Sequence, residues 1–143
     1  MQTNFKKEGS YSAEIFRSVN GTPTQNLQKV VELAGGIANI IGTEDVVVIK
    51  PNLQWWNQGS PNISVCKELV DMIMQHPDGF KGEVIFGENT HRGNRPWEKT
   101  AWTKKFTINS DLNSIYNFNE LCKLLKEKYG ERFTISHWID CDV

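Results

Sequence analysis

Polar side chains able to do acid–base or anion chemistry follow three short apolar runs of this sequence. Lys50 and Asn52 come after residues 45–49, and Asp140 comes after residues 133–139. The run at 83–86 is followed by four more polar residues: Glu88, Asn89, His91 and Arg92. Open parallel sheets bind ligands beyond the carboxyl ends of their strands, so parallel pairing of these runs would gather the polar residues along one rim. The sequence therefore predicts a small-ligand site at that rim.

Lys50 and Glu88 are the predicted catalytic residues. A lysine at the end of a buried strand can bind an anion or take part in proton transfer, although it can also simply reach solvent. Glu88 would act as a general base, and Asn52 would orient the ligand unless its amide only forms an Asx turn. Asn89 and Arg92 are predicted ligand-binding residues, because a loop arginine can clamp a phosphate or carboxylate.

A divalent metal ion is a second candidate ligand for the same rim. Glu88, His91 and Asp140 combine one imidazole with two carboxylates, a donor set that suits a hard or borderline divalent cation. A solvated polar loop is the plainer interpretation of these residues. The three cysteines are widely spaced and include no C-x-x-C pair, so the chain has no iron–sulfur motif. The cofactor, if there is one, stays open at this point.

Five tryptophans are many for this length, and two of them are adjacent. Trp55 and Trp56 lie in the loop after residues 45–49, beside amide side chains, where an aromatic face can stack on a sugar or another planar ligand. They can equally cover the end of the sheet. Trp102 and Trp138 are predicted to pack. The two tryptophans in the loop define an alternative hypothesis, a binding module for carbohydrate or another small ligand without catalysis.

The elements that must position these residues alternate between strand and helix. Such alternation is typical of an α/β domain with a mostly parallel sheet and crossover helices. Strands are predicted at residues 12–19, 45–49, 83–86 and 133–139. Residues 46–49 of this run are all β-branched, which favours a central strand covered on both faces. We expect a single domain over residues 1–143, with a sheet of about four strands.

Three helices are expected between these strands. Thr22, Pro23 and Gln25 form the signature of a capping box with proline in the first turn. A second helix is expected to begin at Ser60-Pro61, and a third at Asn117. The chain ends directly after the polar terminus of its last predicted strand, so we expect a shortened version of a larger α/β unit.

Net charge and the lengths of the apolar runs indicate which kinds of molecule this protein can be expected to bind. The 143 residues carry a formal net charge of -1, and without a basic excess nucleic acid is not an expected partner. No apolar run approaches the roughly 18 residues that cross a bilayer, and residues 1–10 lack the apolar region of a secretory signal. Cys66 and Cys122 are expected as core thiols, which favours a reducing cytoplasmic location. A small molecule or a second copy of the chain are the expected partners.

One stretch resembles a known family. Residues 30–41 read VVELAGGIANII and residues 44–53 read EDVVVIKPNL, with Ser60-Pro61 and Gly87-Glu88 following. This pattern resembles the opening of the uncharacterised family called domain of unknown function 362, and the match covers roughly residues 12–88. The resemblance implies suspected site positions at Lys50, Asn52 and Glu88. Some members of that family carry iron–sulfur segments, and this chain lacks their cysteine cluster.

The leading hypothesis is an enzyme, or the remnant of one, that acts on a small anionic or polar substrate at the carboxyl rim of the sheet. Its alternatives are the tryptophan-based binding module and an assembly domain whose exposed sheet edge pairs with another chain. The residue pattern does not choose among them.

Overall fold

The computed structural model describes residues 13–53, 61–88, 102, 115 and 117–138. Its elements, in chain order, are the helices α1 (Pro23–Leu33) and α2 (Ile37–Ile40), the strand β1 (Val46–Ile49), the helix α3 (Ile63–Met74), the strand β2 (Glu83–Glu88), the helix α4 (Phe118–Tyr129) and the strand β3 (Phe133–His137). A short 3-10 turn, Gly130–Arg132, joins α4 to β3. The alternation confirms the predicted α/β class.

The three described strands form one parallel sheet in the order β1-β2-β3. Right-handed crossovers between neighbours in this order place α3 and α4 on the same face of the sheet. Burial agrees with that geometry, since Val84 and Phe86 of β2 and Phe133 of β3 are wholly buried in one core with residues of both helices. The carboxyl ends of β1, β2 and β3 consequently share one rim, as the sequence predicts.

The predicted first strand is not formed. Residues 13–19 are irregular in the structure, and Ile15 is 91% exposed. Ser18 Oγ donates to Asn26 Oδ1 at 2.8 Å, which ties this segment to the first turns of α1 instead of to the sheet. Strand propensity without a partner strand is not sufficient for a strand, and the described residues form a sheet of three strands.

The position predicted for β1 was also wrong. Among the described strands, β2 is central and β1 lies at an edge, with Val46 63% exposed and Val48 55% exposed. Val47 and Ile49 pack against the core from the other face. A β-branched run fits a strand that is covered on one face as well as a strand covered on both, so composition could not decide between them.

The helix boundaries follow the capping signals closely. Thr22 N–H donates to Gln25 Oε1 at 2.9 Å and Gln25 N–H donates to Thr22 Oγ1 at 3.3 Å, which confirms the predicted capping box. Asn117 Oδ1 accepts from Glu120 N–H and caps α4, also as predicted. The start predicted for α3 was wrong by two residues, because Asn62 is the cap and accepts from the backbone of the first turn.

The buried surface of α3 is wide. Val65, Leu69 and Met72 are only partly buried, and the wholly or largely buried positions are these: Ile63, Cys66, Val70, Ile73 and Met74. The reason is that α3 packs against the sheet on one side and against α1 on another, so its apolar surface is wider than a single stripe.

Candidate functional site

A turn after β1 builds the first half of the site. Pro51 follows Lys50 and ends the strand, since proline cannot donate to a ladder. Asn52 then takes a φ of 63°, in the left-handed region that asparagine tolerates better than most residues. The chain thereby turns inward, and Leu53 is wholly buried. Its N–H donates to Glu88 Oε2 at 3.3 Å, which links the turn to the end of β2.

Three side chains meet at this point, and we call Lys50, Asn52 and Glu88 the rim cluster. Lys50 Nζ lies 2.9 Å from Glu88 Oε2 and 3.0 Å from Asn52 Oδ1. The Glu88 side chain is wholly buried, whereas the Lys50 side chain is 49% exposed. The cluster thus joins a carboxylate inside the protein to a cation at its surface.

The burial of Glu88 explains why a lysine and a backbone amide lie beside its carboxylate. A carboxylate without water needs both opposite charge and hydrogen-bond donors, and the Lys50 ammonium and the Leu53 amide supply them. The ammonium group has three donors, and the contacts of Lys50 within the described residues use two of them. The third donor and the exposed half of the side chain are available to a ligand at the rim.

The structure therefore brings together the three residues that the sequence and the family resemblance both singled out. Lys50, Asn52 and Glu88 lie at the carboxyl ends of neighbouring parallel strands, as expected. The other predicted site residues lie outside the described residues: Trp55, Trp56, Asn89, His91, Arg92 and Asp140.

The rim cluster is not arranged for a cation. The Lys50 ammonium already contacts Glu88 Oε2, so a metal ion at that oxygen would have to displace it. Within the part of the chain that the structure describes, no group of three or more histidine, cysteine, aspartate or glutamate side chains could hold a metal ion. The set Glu88, His91 and Asp140 stays a prediction, because two of its members lie outside the described residues.

Residues at the end of β3 extend the same rim and were not expected there. His137 is the register partner of Glu88, and its ring centroid lies 4.6 Å from that of the wholly buried Trp102 in an edge-to-face contact. Trp138 N–H donates to the Glu88 C=O at 3.2 Å. The Trp138 indole lies against Gly87, where an added Cβ would come within 2.2 Å of the ring. Strand register, which the sequence does not reveal, is what aligns His137 with Glu88.

A second buried carboxylate lies away from the rim, between α3 and α4. Asp71 accepts from Lys67 Nζ at 2.6 Å, from Lys128 Nζ at 3.0 Å and from the Tyr129 hydroxyl, and we call these four residues the helix cluster. Burial raises the pKa of Asp71, but the hydrogen bonds from Lys67, Tyr129 and Lys128 outweigh burial and hold that pKa below its usual value. The cluster joins the two helices that cover the sheet.

His76 has a structural role, and the role predicted for Cys66 and Cys122 as core thiols is confirmed. His76 is buried, and its ring nitrogens bond the Ile41 C=O at 3.0 Å and the Asp78 N–H at 3.1 Å, so it fixes the turn after α3. Cys66 and Cys122 are buried free thiols of the core. Burial raises the pKa of each thiol to about 12, which makes both poor nucleophiles at neutral pH.

Comparison of this chain with models of known protein families, with curated proteins and with solved structures finds no match. The resemblance to domain of unknown function 362 therefore stays a prediction. Among the described residues, no helix is both long enough and apolar enough to cross a membrane.

Proposed function

We propose that the rim cluster binds the anionic or polar group of a small ligand, and that the protein is an enzyme, or the remnant of one, acting on such a substrate. The observation that carries the proposal is the ion pair of Lys50 and Glu88. The Lys50 side chain is half-exposed, and its ammonium group contacts the wholly buried Glu88 carboxylate. A lysine fixed in this way presents its charge at a defined place, at the edge of the sheet where α/β proteins bind ligands.

The three residues of the rim cluster have different proposed roles, which follow from how deeply each side chain is buried. Lys50 contacts the ligand and polarises its anionic group, and Asn52, which is exposed, orients the ligand beside it. Glu88 has no exposed surface, so it acts on the ligand through Lys50, by fixing the ammonium and compensating its charge. This division favours an anion such as a phosphate or carboxylate over a metal ion as the ligand.

The family resemblance supports the same positions. Its most specific part is the Lys-Pro-Asn strand end, and Gly87-Glu88 ends the neighbouring strand. Membership of domain of unknown function 362 is thus part of the proposal. A cytoplasmic location is proposed as well, because Cys66 and Cys122 are buried in the core and form no disulfide.

The test is a titration with inorganic phosphate, acetate and Mg²⁺, each followed by thermal shift and by the backbone amide signals of the protein. We expect phosphate or acetate to raise the melting temperature and to move the signals of Lys50, Asn52 and Leu53. Lys50→Gln should abolish both effects, and Lys50→Arg should retain much of them because the charge is kept.

Lys81→Gln is the matched control. Lys81 is 74% exposed and forms a surface pair with Glu44, so removing its charge should leave the titration unchanged. Loss of anion binding in Lys81→Gln as well as in Lys50→Gln would show that the anion responds to the total charge of the protein and not to a site at Lys50. A response to Mg²⁺ alone would contradict the proposed anion site and favour the metal set.

A further inference from the structure

The outer edge of β1 carries unpaired backbone groups. Among the described residues, β1 pairs with β2 on one side and with no strand on the other. The Asp45 C=O accepts from the Glu83 N–H at 3.2 Å, so Asp45 faces β2. Because backbone groups point alternately to the two sides of a strand, Val46 and Val48 direct their N–H and C=O groups away from the sheet.

The sequence of β1 protects this edge only by its shortness, since the strand has four residues. Exposed edge strands are normally protected by lysine, proline, a bulge or an inward-pointing charge, and Val46–Ile49 contains none of these. Its outward-facing residues are also apolar and exposed on the uncovered face of the sheet, Val46 by 63% and Val48 by 55%. An edge with these properties is a template for another strand, and the strand must itself be apolar to match it.

We propose that β1 pairs antiparallel with β1 of a second copy of this chain, about a two-fold axis at Val47. In this register Val46 lies opposite Val48 of the second copy, and each such pair exchanges two N–H···O=C hydrogen bonds. The two-fold axis repeats the pair, so the interface has four backbone hydrogen bonds and four clustered valine side chains. The interface is isologous and closed, and it joins the two sheets into one.

Charge supports the same partner and the same register. Centring the pair on Val47 places Glu44, just before β1, opposite Lys50 of the second copy, just after β1. Glu44 pairs with Lys81 and Lys50 with Glu88 within one chain, so the facing charges attract across the strand pair without replacing those contacts. The axis generates this pair of opposite charges twice, and opposite charges in facing positions stabilise antiparallel strands.

The other edge of the described sheet, formed by β3, is a poorer candidate for pairing with a second copy of the chain. β3 reads Phe-Thr-Ile-Ser-His, and Ile135 is its only exposed large aliphatic residue, at 37%. Its polar residues make strand pairing with an apolar partner less favourable than at β1. The contact through β1 is smaller than the roughly 1,200 Å² of a stable standard interface, so we expect a dimer that forms at micromolar or higher concentrations.

Sedimentation velocity over a concentration series, up to about 1 mM, tests the proposal on the full chain. The mass should rise from the 16.4 kDa of one chain toward twice that value. Val48→Lys places a charge in each valine pair and should weaken association at least about tenfold. Val48→Pro removes an outward N–H that the protein's own sheet does not use, and should have a similar effect.

Ile135→Lys is the matched control, since it adds the same charge to the opposite edge and should leave association unchanged. A monomer at every concentration would overturn the proposal, as would a dimer that Ile135→Lys weakens and Val48→Lys does not. Amide hydrogen exchange gives an independent readout in the unmodified protein. The N–H groups of Val46 and Val48 should become protected as concentration rises, and concentration-independent exchange would contradict the model even if both Val48 variants failed to fold.

Discussion

The two buried carboxylates of this protein, Asp71 and Glu88, are bound by lysine in different ways. Asp71 receives hydrogen bonds from three side chains, all of them on α3 or α4. Glu88 is more deeply buried, and its contacts among the described residues include hydrogen bonds from the Lys50 ammonium and the Leu53 amide. Asp71 joins two helices behind the sheet, and Glu88 lies at the rim where the strands end.

The difference separates a structural ion cluster from a candidate site. In the helix cluster the donors converge on one carboxylate and hold elements 57 residues apart in sequence. In the rim cluster the carboxylate is paired with a lysine that is 49% exposed and lies where the strands end, whereas Lys128 of the helix cluster, 44% exposed, lies on α4. A strongly bonded buried acid is therefore not in itself a sign of function, and the decisive feature is whether a charged partner reaches the surface at the rim.

The largest effect is expected for Lys50→Met. This change leaves Glu88 wholly buried without its ammonium partner, and breaking a buried pair in this way costs about 3 kcal/mol of unfolding free energy. The double variant Lys50→Met with Glu88→Gln also removes the buried carboxylate charge and should recover at least half of the loss. Urea unfolding of the single and double variants measures both quantities, and equal stability of the two would show that Glu88 does not depend on Lys50.

A smaller effect, about 2 kcal/mol, is expected for Asp71→Asn, because three donors lose a charged acceptor at the α3–α4 contact. Glu32→Gln is the matched control, since it neutralises an acid in the exposed pair with Lys29 and should change stability by no more than about 0.5 kcal/mol. Urea unfolding and anion titration should be run on both. If Asp71→Asn weakened phosphate or acetate binding in the folded protein, the assignment of the helix cluster to structure alone would be wrong.

The smallest effect concerns pH. The pKa of Asp71 is lowered in the folded protein, so its stabilising contribution is present above the unfolded pKa near 4 and is lost as pH falls through the folded value. Stability of the unmodified protein should therefore fall more steeply below about pH 4 than that of Asp71→Asn. Parallel slopes for the two proteins would contradict this contribution.

At alkaline pH, stability is expected to fall as pH rises. Burial and the hydrogen bond to Asp71 raise the pKa of Tyr129, and hydrogen bonds to Tyr129 and Asp71 raise the pKa of Lys128. Their contributions are complete below the unfolded values near 10 and are lost as pH rises through the folded ones. Tyr129→Phe should flatten the decline above about pH 10, and thermal unfolding between pH 8 and 11 would measure it.

Local sequence signals were sufficient for much of the fold. The α/β class, the caps at Thr22 and Asn117 and the rim positions of Lys50 and Glu88 follow from propensities, capping residues and strand ends, all of which act over a few residues. The strand predicted at residues 12–19 was wrong because a strand needs a partner, which short-range propensity does not supply.

The sequence by itself determined which residues can be charged, where strands end and where helices begin, since these depend on side-chain chemistry and near neighbours. Only the tertiary structure decided that β1 is an edge strand, that Glu88 is wholly buried beneath Lys50, and that His137 stands in register with Glu88. It also decided that Asp71 meets Lys128 and Tyr129 across two helices. The physical reason is that strand order, register and helix packing are set by the burial of the whole core, which no local pattern encodes.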